Sequence, residues 1–215
     1  FVIVLKKLAH DSLYTKMLFG VAILSSKAFI DYSTSGLENP LTYLLLALFL
    51  KEFTRETRNL FKLTLISAII ATNRQDTILL ILPALLLALW HSPENWKKNL
   101  RALILGSIPL VIWELFSLFY YGFLFPNTAY AKLNTGIAKT SLIMQGIDYF
   151  IDSITRDPVT LLVIALTGVV VFVHKKDRII YIGVLLYLAY IFNIGGDFMT
   201  GRFFAAPFFI ASILL

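Results

Sequence analysis

The sequence predicts an all-α protein, a polytopic bundle of about seven or eight membrane-spanning helices. Of its 215 residues, 58% are hydrophobic and only 15% are charged, whereas a soluble domain has about 25% charged residues. The mean hydropathy is +0.79. The apolar residues also come in blocks separated by short charged clusters, which is the pattern of membrane spans joined by loops.

Apolar runs of two lengths account for these segments. The longer runs are residues 13–30, 102–121, 159–173 and 179–194. The shorter runs are residues 41–50, 63–72, 77–90 and 203–215. A perpendicular helix needs about 20 residues to cross the hydrocarbon core. The shorter runs are therefore either re-entrant or extended by flanking Lys and Arg side chains that snorkel to the interface.

The distribution of basic residues predicts the orientation. Most Lys and Arg residues lie in alternate loops, at residues 6–7, 51–62, 97–101 and 175–178. The loops between them, at residues 31–40, 73–76, 122–157 and 195–202, are poor in Lys and Arg. By the positive-inside rule, the first set is cytoplasmic and the second set lies outside. The alternation continues through the shorter runs, which favours counting them as crossings.

One transmembrane domain is predicted over residues 1–215. Because both ends fall in apolar runs, we expect a fragment truncated at both ends. Its long extracytoplasmic loop, residues 122–157, contains an amphipathic segment at residues 141–154 that is typical of a helix lying on the membrane surface.

Composition excludes several classes of function. The absence of cysteine excludes disulfides, thiol catalysis and thiolate metal sites within the segment. The net charge of +6 is explained by basic cytoplasmic loops rather than by nucleic-acid binding. The three histidines fall in predicted cytoplasmic segments and far apart, so no metal-ligating set is recognised. Outer carboxylates leave a divalent cation possible without demanding one.

Two outer stretches place polar residues between apolar runs. In the first, Asp31, Ser35 and Glu38 fit either a polar pocket for a sugar or a turn that caps the next helix. In the second, Arg74 and Asp76 are ionisable groups at or below headgroup level, which is a functional hypothesis by default. The alternative there is an ion pair within a tight turn.

Two further outer stretches carry hydrogen-bonding and cationic groups. The third contains Asn127, Thr128, Tyr130 and Lys132, at the start of the long loop. The fourth, residues 195–202, combines three glycines with Asp197 and Arg202. Glycine permits close approach of a ligand to the backbone, and arginine suits phosphate; the alternative is an Asp197–Arg202 pair that closes a loop.

Glu114 lies within a predicted span, beside Trp113. A carboxylate at that depth must face the bundle interior or be protonated. It is either a weak site candidate or a tie between helices.

Taken together, the motifs TSGLE (34–38), YYGFLFPNTAYAK (120–132) and GGDFMTGR (195–202) resemble the polytopic C-type glycosyltransferases. The similarity covers about residues 31–207 and is greatest to the branch of actinobacterial cell-wall terminal arabinofuranosyltransferases and its bacterial relatives. This resemblance implies an enzyme of the bacterial plasma membrane that acts on the outer face. Such an enzyme transfers a sugar, usually with inversion, from a polyprenyl-phosphate donor to a glycan or lipid acceptor.

The resemblance also implies roles for residues. The family's catalytic carboxylate lies in the first outer loop, which we expect to precede this chain, and Asp31 is the local candidate for the base. Arg202, Arg74 and Lys132 are the candidates for binding donor phosphate. The candidates for binding sugar or acceptor are Ser35, Glu38, Asp76, Asn127, Thr128, Tyr130 and Asp197.

Two other functions compete with transfer. A transporter or flippase of lipid-linked sugars needs polar groups along its spans, and the sequence offers mostly Glu114, with Lys27 near an outer end. A structural subunit predicts featureless outer loops, which this chain does not have.

Overall fold

The computed structural model describes residues 13–92, 95–124, 130, 136–175 and 177–215. Within these ranges the secondary structure is α-helix with two short 3-10 turns, and no β-strand occurs. The predicted all-α class is therefore confirmed.

Ten α-helices run through the described residues. In chain order they are α1 (Leu13–Ser25), α2 (Lys27–Thr34), α3 (Asn39–Phe53), α4 (Leu60–Asn73), α5 (Ile78–Trp90), α6 (Trp96–Tyr121), α7 (Lys139–Arg156), α8 (Pro158–His174), α9 (Arg178–Ile194) and α10 (Ala205–Leu214). The 3-10 turns Gln75–Thr77 and Arg202–Phe204 precede α5 and α10. Each predicted apolar run is helical, and the predicted amphipathic segment is α7.

The predicted single run over residues 13–30 is wrong, because the chain breaks at Ser26 into α1 and α2. Ser26 has extended backbone angles, and its side chain accepts a hydrogen bond from the N–H of Phe29. Asp157, distant in sequence, accepts a second hydrogen bond from the N–H of Ala28 at 2.8 Å. These two acceptors satisfy N–H groups that the start of a helix leaves unpaired, so the break is stabilised from outside the segment.

Asp157 also marks the sharp bend between α7 and α8, which meet at 106°. Its side chain accepts hydrogen bonds from the N–H and the hydroxyl of Thr160, and Pro158 occupies the first position of α8. Proline is tolerated at that position because its missing N–H would be unpaired there anyway. Local sequence therefore both ends α7 and starts α8 in a new direction.

Several helices share the core, and α3, α9 and α10 each contribute many of its buried side chains. Tyr187, Phe204 and Phe208 are among the largest fully buried side chains. At Gly183 on α9, a Cβ would lie only 2.0 Å from the carbonyl oxygen of Leu80 on α5. Glycine is needed there because it lets the two backbones approach closely, as small residues do between membrane helices.

The helices α4 and α6 run side by side in the same direction. Near their starts, the hydroxyl of Thr64 donates to the carbonyl oxygen of Ala102 at 3.0 Å. Near their ends, Gln75 donates to Glu114 at 2.8 Å. The charged segments that precede α4 and α6 therefore lie at one end of this pair, and residues 73–76 lie at the other.

Length and hydropathy qualify one described helix, Trp96–Tyr121, as a membrane span. The bent pair α7 and α8 passes the same test only when it is taken together, and the remaining apolar helices are shorter. The predicted bundle of seven or eight spans therefore stays a prediction.

Candidate functional site

Three of the four polar stretches that were predicted to lie outside meet in one cluster, although they are far apart in sequence. Glu38 from the first stretch is within 3.3 Å of Arg74 in the second and 3.0 Å of Arg202 in the fourth. Asp76 and Asp197 complete the ion pairs. We call this cluster, with the adjoining Tyr187, the ion-pair network.

Arg74 forms the buried arm of the network and uses every N–H that its guanidinium offers. Its Nε and Nη2 donate to the two oxygens of Asp76 at 2.8 and 2.9 Å. Its Nη2 also donates to the hydroxyl of Tyr187 at 2.8 Å. Its Nη1 donates to Glu38 at 3.3 Å and to Asn39 at 3.5 Å. A guanidinium has five N–H groups, so none is left for a ligand phosphate.

Tyr187 belongs to the buried arm but was not predicted from the sequence. Its side chain on α9 is fully buried, and its hydroxyl donates to Asp76 Oδ2 at 2.8 Å. The ring of Phe203 lies against the guanidinium of Arg74, with its centroid 4.7 Å from the guanidinium carbon. The sequence gives no signal for this role, since Tyr187 looks like any tyrosine within an apolar span.

Arg202 forms the open arm together with Asp197. Its Nη1 donates to Asp197 at 3.2 Å, and its Nη2 donates to both oxygens of Glu38 at 3.0 and 3.3 Å. The Arg202 side chain is 22% exposed, against 8% for Arg74. Its Nε is buried and has no hydrogen-bond partner among the described residues. Arg202 therefore keeps one buried N–H that no described residue satisfies, whereas Arg74 keeps none.

The electrostatics of the network hold its groups in their charged forms. Burial favours the neutral carboxyl of Glu38, but its own backbone N–H, the hydrogen bond from Arg202 and the charge of Arg74 outweigh burial and lower the pKa of Glu38 below 4.5. Burial also acts against charge on Arg74, yet Tyr187 and Asp76 raise the pKa of Arg74 above its ordinary value. Opposite charges at hydrogen-bonding distance have this effect.

The loop that carries Asp197 and Arg202 is held in place by protein contacts. Gly196 has a φ of +75°, and a Cβ there would lie 2.5 Å from the ring of Tyr149 on α7. The expectation that these glycines admit a ligand is therefore wrong for Gly196, because Tyr149 occupies that space. The hydroxyl of Tyr149 also donates to the carbonyl oxygen of Met199 and accepts from the N–H of Phe203.

Two further contacts hold the same loop. The hydroxyl of Tyr32 on α2 donates to the carbonyl oxygen of Thr200 at 3.0 Å. The hydroxyl of Thr200 donates to Asp152 on α7 at 2.6 Å. Hydrogen bonds from Thr200 and Arg156 lower the pKa of Asp152. These contacts fix the loop between α2 and α7, so Arg202 is carried by a supported segment.

The other predicted site residues lie outside the network. Asp31 is exposed on α2, and no described residue donates a hydrogen bond to its carboxylate. Ser35 is exposed and bonds only within its own turn at the end of α2. It does not cap the next helix, because Glu38 holds the N-cap position of α3. Tyr130 packs against Phe123, with ring centroids 5.5 Å apart. Three predicted residues lie outside the described residues: Asn127, Thr128 and Lys132.

Glu114 faces the protein, as expected for a carboxylate in an apolar helix. Its Oε1 accepts the hydrogen bond from Gln75, and its Oε2 is buried without a partner among the described residues. This contact connects α6 to the turn that carries Asp76.

The described residues contain no group of three or more His, Cys, Asp or Glu side chains placed to hold a metal ion. Comparison of the chain with protein-family models, with curated proteins and with solved structures finds no match.

Proposed function

We propose that this chain belongs to an integral protein of the bacterial plasma membrane, a polytopic helix bundle with an outer active face. Its proposed activity is an inverting sugar transfer from a polyprenyl-phosphate donor to a cell-envelope glycan or lipid acceptor. The sugar is a pentose such as arabinofuranose or a related hexose. The proposal rests on the resemblance described above and on one observation. Some charged groups around Arg202 have all their hydrogen-bonding positions engaged within the protein, whereas others do not.

The exposure of α6 supports the membrane assignment. Only 11% of its most apolar stretch is buried, so it is not the core helix of a soluble protein. Ile112 and Leu115 are each 61% exposed and Phe119 is 93% exposed. An apolar surface of this extent marks a site of contact with lipid or protein.

The three faces of α7 support its assignment to the membrane interface. One face packs on the bundle through Gly146, Tyr149 and Ser153. A second face is apolar and exposed, and it consists of Ile143, Met144, Ile147, Ile151 and Ile154. The third face is polar and includes Asp148 and Asp152. Contact with protein, acyl chains and water on three sides is what a helix lying at the interface experiences.

The uncommitted groups favour transfer chemistry over a purely structural network. Glu38, Asp76 and Asp197 each bind an arginine, and ion pairing weakens a carboxylate as a base. Asp31 is an outer carboxylate without a described partner. It lies next to Tyr32, whose pKa is raised by burial, Asp197 and Asp31 and lowered by Arg202. A free carboxylate and a cation with a spare donor are therefore present near the same tyrosine.

These groups suit an inverting displacement. The acceptor hydroxyl oxygen forms a bond to the anomeric carbon as the bond from that carbon to the phosphate oxygen breaks. The hydroxyl proton passes to a carboxylate base, for which Asp31 is the candidate in this chain. The polyprenyl phosphate leaves as an anion, and Arg202 offsets its growing negative charge.

The structure argues against one predicted role within this scheme. Arg74 has all of its N–H groups engaged, so we assign it to positioning Glu38 rather than to binding phosphate. Arg202 is then the donor-phosphate candidate among the described residues of the network.

The test is a transfer assay on the protein in membrane vesicles with an accessible outer face and labelled polyprenyl-phosphate sugars. We expect label transfer in the wild type and a loss of about 100-fold or more in Arg202→Ala, as for removal of a charge-stabilising donor. Asp197→Asn should also lose transfer. Lys139→Ala removes an exposed cation of the same predicted face and should retain transfer, which makes it the control.

The outcomes separate the candidate functions. Full transfer by Arg202→Ala would remove Arg202 from the phosphate role. Absence of transfer from every donor, with labelled lipid moving between leaflets instead, would replace the proposal with a transporter or flippase.

A further inference from the structure

The inner half of α6 carries a shallow groove that the proposed transfer reaction does not use. We call it the basic groove, and it is lined by Trp96, Lys97, Leu100, Arg101, Ile104 and Leu105. Its apolar residues are well exposed, from 40% at Leu105 to 66% at Trp96. No described segment covers it, because α6 packs through its opposite side on α4 at Gly106.

The two charges of the basic groove lie toward the start of α6, together with Trp96 and Leu100, and only apolar side chains line the groove beyond them. Lys97 and Arg101 are four residues apart, so they lie on the same side of the helix, one turn from each other. Ile104 and Leu105 continue that side toward the middle of α6, and Leu100 lies between the two cations. The groove therefore has a cationic end and an apolar continuation, as a phospholipid has an anionic headgroup and acyl chains.

Among the described residues, no carboxylate neutralises the cations of the groove. The first turn of α6 contains no acidic residue, and neither Lys97 nor Arg101 forms an ion pair among the described residues. The ammonium of Lys97 lies 5.7 Å from the ring centroid of Trp96. An indole beside a cation is a combination found at membrane–water interfaces.

We infer that the basic groove binds an anionic phospholipid of the cytoplasmic leaflet. Lys97 and Arg101 contact its headgroup phosphate, and Leu100, Ile104 and Leu105 contact its acyl chains. Basic pockets at the cytoplasmic end of membrane helices suit such headgroups. The inference rests on the proposed membrane insertion and orientation, but not on the proposed sugar transfer.

The experiment measures contact between Trp96 and lipid in the full chain. The sequence has three tryptophans, so Trp90→Phe and Trp113→Phe leave Trp96 as the reporter. The protein is placed in vesicles that contain brominated phosphatidylglycerol or brominated phosphatidylcholine, and quenching of Trp96 gives the relative association constant of the two lipids. We expect a clear preference for phosphatidylglycerol, which 1 M salt should largely remove.

Two matched variants locate the preference. Lys97→Gln with Arg101→Gln should lower the preference by about fivefold for each cation, from about 1 kcal/mol per basic residue near a charged surface. Lys51→Gln with Lys62→Gln makes the same charge change at exposed residues of the same predicted face but outside the groove. This control pair should keep the preference.

Each other outcome overturns the inference. Equal losses in both variants would indicate diffuse surface charge rather than a site. Equal quenching by the two lipids would show no selectivity, and no quenching by either lipid would show that protein covers the groove. Sugar transfer measured in the same vesicles is independent, so loss of lipid preference with normal transfer would leave the proposed function intact.

Discussion

The two arms of the ion-pair network use the same chemical groups in different ways. In the buried arm, Arg74 donates to Asp76, Tyr187 and Glu38, and its side chain is 8% exposed. In the open arm, Arg202 donates to Asp197 and Glu38, is 22% exposed and keeps one N–H without a described partner. The first arginine is saturated by the protein and the second is not.

This difference teaches that residue type alone does not identify a binding arginine. Both arginines lie in predicted outer loops beside a carboxylate, and both were candidates for binding donor phosphate. Counting donors separates them, because a fully engaged guanidinium can bind a ligand only by giving up contacts within the protein. The buried arm should therefore govern stability and the open arm should govern activity.

The largest expected effect is on stability in the buried arm. Arg74→Ala leaves Asp76 and Tyr187 without their shared donor, and breaking a buried ion pair in this way costs about 3–5 kcal/mol. Thermal unfolding of the purified protein would measure the change. Arg156→Ala, which removes an exposed pair with Asp152, should cost about 0–1 kcal/mol. Equal costs at the two sites would contradict the assignment of Arg74.

The second effect concerns activity in the open arm. Arg202→Lys keeps the positive charge but loses the paired donors that reach Glu38 and Asp197, so we expect transfer to fall by about 10-fold to 100-fold. The unfolding temperature should change less than in Arg74→Ala. A variant with normal transfer and strongly reduced stability would reverse the roles of the two arms.

The third effect isolates the hydroxyl of Tyr187. Tyr187→Phe keeps the buried ring but leaves Arg74 and Asp76 each short of one partner, which should cost about 1–3 kcal/mol. Tyr190→Phe provides a matched control on the same helix, since Tyr190 is only partly buried and forms no hydrogen bond with the network. Chemical denaturation of both variants would test this, and equal losses would argue against a specific role for Tyr187.

The fourth effect tests how the loop of the open arm is supported. Gly196→Ala meets both a positive φ and the ring of Tyr149, whereas Gly36→Ala meets a similar φ of +72° with open space around it. The backbone term is about 1–2 kcal/mol at each position, so Gly36→Ala should show that loss alone. Gly196→Ala should lose more stability and also lose transfer. Similar unfolding temperatures for the two variants would show that the ring of Tyr149 shifts at little cost to make room for the added Cβ.

The smallest effect is the pH dependence contributed by Glu38, which joins the two arms. Its pKa is lower in the folded protein than the ordinary 4.5, so its stabilising contribution is complete above that value and is lost as the pH falls through the folded pKa. The gap in unfolding temperature between wild type and Glu38→Gln should be constant near neutral pH and should narrow below about pH 4.5. A gap that widens in acid would have the wrong sign.

The helices could be predicted because their apolar runs are local features of the sequence. The convergence of Glu38, Arg74 and Arg202 at one end was also foreseen in outline, because the distribution of Lys and Arg assigned their loops to the same side. The break at Ser26 was missed because Asp157, which stabilises it, lies far away in the chain. Sequence patterns report what neighbours do, and this break depends on a tertiary contact.

The details of the site could not be predicted from the sequence, because they also depend on tertiary contacts. Gly196 was interpreted as a place for a ligand, since nothing local predicts that the ring of Tyr149 fills the space. Tyr187 was overlooked because its partners Arg74 and Asp76 come from another part of the chain. Saturation of hydrogen bonds is a property of the assembled cluster and has no signature in a single segment.

The attachment of α7 to the loop before α10 has a mechanical consequence. Tyr149 and Asp152 connect α7 to Met199 and Thr200 by hydrogen bonds of 3.1 and 2.6 Å. Met199 and Thr200 lie just before Arg202 in the chain, so the loop is expected to move together with α7. A displacement of α7 would therefore change the position of Arg202 relative to Glu38. The position of Arg202 in the open arm therefore depends on how tightly α7 packs on the bundle.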